Sequence, residues 1–326
     1  MIVQLYLLRI LAILLIVNSH LRTIWPLPQL AFGGHLGNSL FYFLSGFGLT
    51  LSHRRKPLAP IAWYRRRFSK IVVSLVVICG VLSLGDLQRF LDYIGYELIW
   101  HTRAQLEAFL PVLWLLYLVF PWLIRLGGKQ KLLLASLVLA AAFILFQLRI
   151  RALTTVPTNL PSQDIFFTFN GLVCFLLGML SAENRGLLDR VMDFGRGKVA
   201  LLSFLVVIGL QILHRFVHSH GHGVIYLNFY LNFLSVLGLY LLFMSLRIDP
   251  SPFHSSIKAI AASSLAVYLV HPRVIATVGD SQLTFPFSVI VVFVSALLLG
   301  YALQTFVAFL GKSIDFIRCY RSSSPQ

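Results

Sequence analysis

Charge is what this sequence has least of. Only 12% of its 326 residues are Asp, Glu, Lys or Arg, about half the share of an ordinary soluble domain. Apolar residues make up 58%, and the mean hydropathy is +0.84. Such a chain lacks the polar residues to cover a water-facing surface. Carboxylates are scarcest of all, 11 against 27 Lys and Arg, which leaves a net charge of +16. So basic a chain invites nucleic acid as a partner, but its cations are scattered through short loops instead of forming one stripe, which argues against it. Cysteine is almost missing too. Cys79, Cys174 and Cys319 fall in two apolar runs and the tail, so neither a disulfide framework nor a metal site is expected. Long hydrophilic loops, low-complexity tracts and a repeat period are also lacking, which points to one domain over 1–326 with no soluble appendage.

What is present is a series of apolar runs without period-2 alternation. Lipid leaves no water to satisfy the backbone, and runs of about 20 apolar residues then mean spanning helices and not a barrel. The fold class expected is an all-α integral membrane protein. Ten spans are read at 2–20, 36–53, 70–85, 108–125, 131–148, 165–183, 198–214, 225–246, 257–275 and 284–311. A cleaved signal peptide is the other reading of the first run. It is disfavoured because the basic n-region and the A-x-A pattern are both missing and an arginine interrupts the apolar stretch. With both termini in the cytoplasm, 19 of the 27 Lys and Arg fall on that side and 7 on the other. The positive-inside rule favours this orientation.

Arg9 is the one cation inside a span. A guanidinium at the centre of a spanning helix costs about 2.5–3.5 kcal/mol, so it either snorkels to the interface or faces an interior cavity with a partner. His20 follows eleven residues later. Eleven steps of about 100° make almost three turns, so the two side chains share one face about 16 Å apart. In the ninth span, Ser264, Tyr268 and His271 recur at i, i+4 and i+7, again one face, with His271 near the same outer level as His20.

The second span, GHLGNSLFYFLSGFGLTLS, gathers Gly34, Gly37, Gly46 and Gly48 around Ser39 and Ser45. Small residues of this kind let helices approach closely or give a ligand room near the backbone. The segment RRKPLAPIAWYRRRFSK carries seven cations beside Trp63 and Tyr64. Cations can hold phosphates and an aromatic ring can stack on a base, although anionic lipid is an equally simple partner for them. The histidine run His214, His218, His220 and His222 has no Cys or nearby carboxylate to complete a zinc site.

Taken in order, these pieces resemble the membrane-bound acyltransferase 3 family, whose members include bacterial glycan O-acetyltransferases. Arg9 and His20 match its Arg-x10-His signature, and GNSLFYFLSGFGL is similar to its Gly- and Phe-rich stretch. RRRFSKI looks like the basic opening of its third span, and SSLAVYLVHP like its late Ser, Tyr-Leu and His pattern. LWLLYLVFP and FLLGML add weaker agreement. Two departures stand out. Lys70 replaces the second arginine of the family's Arg-x-x-Arg, and the acidic residue that many relatives carry in the fourth span is missing. Asp164 or Glu107 is then the candidate carboxylate.

The resemblance implies transfer of an acyl group, most simply acetyl, from cytoplasmic acetyl-CoA to a hydroxyl of a lipid-linked or cell-surface glycan at a bacterial inner membrane. It implies His20 and Arg9 as the catalytic pair. Arg66, Arg67, Lys70 and Ser45 would bind the donor, and His271, Tyr268 and Ser264 would orient the acceptor or stabilise the oxyanion. His20 suits a general base, and an acyl-histidine intermediate is the other chemical route. A transporter or flippase for lipid-linked glycan is the competing reading, because buried polar groups among many helices suit translocation as well. A degenerate binding protein of the same fold is a third.

Overall fold

The computed structural model describes residues 2–99, 109–155, 164–219, 225–248 and 253–322. Among the described residues there is no strand. The helices are α1 (Ile2–Ser19), α2 (Gly34–Arg55), α3 (Pro60–Ser83), α4 (Leu87–Ile99), α5 (Phe109–Leu123), α6 (Gly128–Thr155) and α7 (Asp164–Glu183). They continue with α8 (Arg185–Asp193), α9 (Arg196–Ser219), α10 (Ile225–Ser245), α11 (His254–Ala262), α12 (Ser264–Gly279) and α13 (Phe287–Ser322).

Every one of the ten apolar runs lies on helix, with two differences from the expected pattern. The ninth run is two helices, α11 and α12, bent by 63° at buried Ser263, and α7 turns by 77° into α8. In addition, α4 and α8 occupy stretches read as loops, because their polar residues dilute the apolar runs that mark a span. Among the described residues, only Arg196–Phe216 of α9 and Phe287–Leu310 of α13 are by themselves long and apolar enough to cross a bilayer, or up to four spans if each bent pair counts as one.

The apolar residues are distributed as lipid requires. On α9, Leu201, Leu202, Phe204, Leu205 and Ile212 are exposed, and on α13 so are Phe287, Ile290, Val294, Leu298 and Phe309. Water would penalise such faces at about 25 cal/mol per Å², whereas acyl chains do not. The polar groups lie inward instead. Asn170 of α7 donates to Ser39 of α2 at 2.6 Å, and the Ser39 hydroxyl in turn donates to the His35 carbonyl at 2.7 Å.

At the centre, α2 packs against α1, α7 and α10. Its tightest seam is with α7. A Cβ on Gly46 would stand 2.1 Å from the Phe175 carbonyl oxygen, and one on Gly178 would stand 2.0 Å from that of Phe43. Backbone meets backbone here because neither glycine has a side chain.

The ends of the helices are tied in two sets. One set joins Gln4 to the Leu246 carbonyl at 3.2 Å, Arg54 to the Glu183 carbonyl at 3.4 Å, and Lys131 to the Glu183 carboxylate at 2.7 Å. Lys131 is 1% exposed; in so dry a site its charge is held by the Glu183 carboxylate and by the Leu126 carbonyl, to which it donates at 2.6 Å. The second set stacks Trp25 near Phe285 and Arg215 over Phe32. Each of these contacts joins segments that the alternating reading assigns to one side.

Candidate active site

The shared face of α1 meets the shared face of α12. Arg9 donates from Nε to Ser264 Oγ at 2.8 Å, and its guanidinium lies 5.8 Å from the centre of the Phe41 ring. Ser264 is fully buried, yet Arg9 itself stays exposed. The guanidinium is thus anchored on a buried hydroxyl and a buried ring while part of the side chain stays accessible.

At the other end of α1, His20 stands beside His271, with ring centroids 4.9 Å apart and planes tilted by 52°. His20 is half-buried and His271 is 2% exposed. The turn that carries His20 is fastened by Asn18, which donates to the carbonyls of Leu30 at 2.8 Å and Phe32 at 3.0 Å and accepts from Trp25 Nε1 at 3.0 Å. Sequence reasoning missed Asn18, although an amide two residues before the histidine, inside an apolar run, was the signal to use.

One wall of the site is aromatic. Tyr268 packs on Phe109 at 5.0 Å, Phe109 on Phe41 at 5.5 Å, and Phe41 carries Arg9. Phe109 was also missed, since nothing in its sequence context separates it from an ordinary start of a span.

Along α2 the positions 41, 45, 48 and 52 share one face. Ser45 is half-buried, and a Cβ added to Gly48 would meet nothing within 4 Å. Ser52, eleven residues beyond Phe41, accepts a hydrogen bond from Arg67 Nη2 at 2.8 Å. Arg66 is exposed beside Arg67. Lys70 lies on α3, and its side chain is outside the described residues, as are Glu107, the side chains of Asp164, His218 and Cys319, and residues His220 and His222.

One expectation is corrected. Trp63 is 4% exposed and stacked on Phe120 at 5.2 Å and 25°, while the Tyr64 hydroxyl donates to the Leu118 carbonyl at 2.5 Å. Both rings help pack α3 on α5, and the buried, stacked Trp63 offers no free face for a base.

An apolar exterior, a guanidinium bonded to a buried hydroxyl and two adjoining imidazoles between α1 and α12 are the features of a membrane protein with polar groups held inside its bundle. The chain belongs to the acyltransferase 3 family: the family model Acyl_transf_3, an acyltransferase domain, matches residues 2–305. It is a membrane acyltransferase by that membership. No curated protein and no solved structure matches it.

Proposed function

We propose that this chain is a membrane O-acyltransferase, most simply an O-acetyltransferase. It would move an acyl group from cytoplasmic acyl-CoA to a hydroxyl of a cell-surface or lipid-linked glycan, as a ten-span protein of the bacterial inner membrane with both termini inside. The observation that carries the reading is the double contact between α1 and α12, Arg9 with Ser264 and His20 with His271. It supports the reading by bringing a cation and a half-buried imidazole of the first helical segment against one face of α12.

The donor's phosphates are assigned to Arg66, Arg67 and Lys70, with Arg9 meeting the inner end of the diphosphate or the first polar groups of the arm. The arm then climbs past Ser45 and Gly48 along the aromatic wall, over the rise of about 16 Å that separates Arg9 from His20. At His20 the acceptor hydroxyl gives its proton to the imidazole as its oxygen attacks the thioester carbonyl. The C–O bond forms, the C–S bond breaks, and the proton on His20 passes to the departing thiolate. General-base assistance of this kind contributes about 10²–10⁴ in rate.

The test is His20→Ala in membrane vesicles supplied with labelled acetyl-CoA. The variant is expected to insert normally and to lose about 10²–10⁴ of the transfer rate; undiminished transfer overturns the assignment. Mass spectrometry of surface glycan in a deletion strain separates the flippase: loss of an acyl group alone supports the enzyme, and loss of the whole polymer supports translocation.

A further inference from the structure

The dipeptide His271-Pro272 does more than bend a helix. Proline has no N–H, so Pro272 inside α12 leaves the carbonyl four residues earlier, that of Tyr268, without its helical donor. A buried carbonyl left so costs about 1–3 kcal/mol. The neighbouring imidazole fills the gap: His271 Nδ1 lies 2.5 Å from the Tyr268 oxygen. A carbonyl can only accept, so Nδ1 carries the proton, and in neutral imidazole Nε2 then keeps its lone pair. Nε2 is buried and has no hydrogen-bond partner among the described residues. The ring beside it is that of His20.

We propose that His271 is a positioning residue: a turn of the adjoining His20 ring, whose centroid lies 4.9 Å away, brings its N–H onto the unpaired Nε2 lone pair, and the hydrogen bond so made holds the other His20 nitrogen deprotonated toward the acceptor hydroxyl. This rests on the acyl-transfer reading above. The chain of groups runs from the Tyr268 carbonyl, through Nδ1–H and Nε2 of His271, to His20 and then to the substrate. When His20 takes the substrate proton it becomes an imidazolium. Its shared N–H is then more acidic, and the His271 lone pair stabilises it without taking the proton. His271 keeps one protonation state throughout. With its only N–H committed to a backbone carbonyl, a neutral His271 has none to offer an oxyanion, so the role given to it differs from the one the resemblance implies.

Two replacements separate the two ring nitrogens. The amide of His271→Asn falls where Nδ1 was, so it can still donate to Tyr268 but leaves no acceptor toward His20. In vesicles with labelled acetyl-CoA its kcat is expected to fall about 100-fold with the donor KM unchanged. His271→Gln extends its amide oxygen to the Nε2 position and is expected to stay within about tenfold of the parent. Equal losses in the two variants, or a change confined to KM, overturn the proposal.

A second measurement needs no turnover. Nitrogen-15 NMR of the histidine-labelled chain in lipid should find His271 protonated on Nδ1, with an Nε2 resonance that moves in His20→Ala. An Nε2–H tautomer, or a resonance that ignores His20, overturns the positioning role even if acetylation proceeds. The expected tautomer and coupling in a chain that transfers no acetyl would instead sink the acyl-transfer reading alone.

Discussion

The two ends of the site are built on opposite plans. Along α1 and α12, exposure varies from buried His271 through half-buried His20 to exposed Arg9, yet each is held by a fixed group: His271 by a backbone carbonyl, His20's turn by Asn18, Arg9 by Ser264. At the arginine end, Arg66 is exposed and Arg67 is half-buried with one side-chain hydroxyl for support. A proton transfer tolerates little misplacement, whereas a phosphate can be held by charge from several directions. The difference teaches that one end is made for geometry and the other for attraction. Changes at the first should appear in kcat and changes at the second in KM.

That split can be broken by experiment, and the His20→Ala loss described above is the largest effect expected. Next comes Arg9→Lys, which keeps the charge but gives up the Nε–H that reaches Ser264. A charge-assisted hydrogen bond of about 1.5–3 kcal/mol predicts a fall in kcat/KM of roughly 10- to 100-fold. Full activity with lysine would reduce Arg9 to a bare charge. Arg67→Ala is expected to raise the apparent KM for acetyl-CoA about tenfold and to leave kcat alone; a kcat loss instead would move Arg67 to the geometric end. Smallest is Ser52→Ala, where losing the hydroxyl that orients Arg67 should raise the same KM about fivefold, worth about 1 kcal/mol. No change there would mean that Arg67 finds the donor without help.

Much of this was legible in the residues themselves. Each apolar run falls on helix, although α4 and α8 escaped, because lipid and backbone physics leave few alternatives to a helix. The eleven-residue interval placed Arg9 and His20 on one face, and the i, i+7 interval did the same for Ser264 and His271. Which faces would meet was not legible, because a helical period sets the direction of a side chain and says nothing about its neighbour. The break at Ser263 escaped notice since neither proline nor glycine marks it. Trp63 was misread because an aromatic among cations looks the same whether it faces a ligand or a second ring; only the stacking on Phe120 decides. The consequence of Pro272 lies four residues upstream of the proline, at a carbonyl that no side-chain pattern displays.

The seam between α2 and α7 bears on how this protein can change over generations. Every residue other than glycine brings a Cβ, and at positions 46 and 178 that atom would stand 2.1 and 2.0 Å from a carbonyl oxygen of the opposite helix. No coding change at either position is mild, so selection against variants there begins at folding and acts whatever the substrate. Gly48, two residues further along α2 and on another face, is free of that pressure, since an added Cβ meets nothing within 4 Å. A lineage that drifts at position 48 while holding 46 and 178 has changed what the site admits and kept the fold, so divergence of function is written beside the seam and not in it.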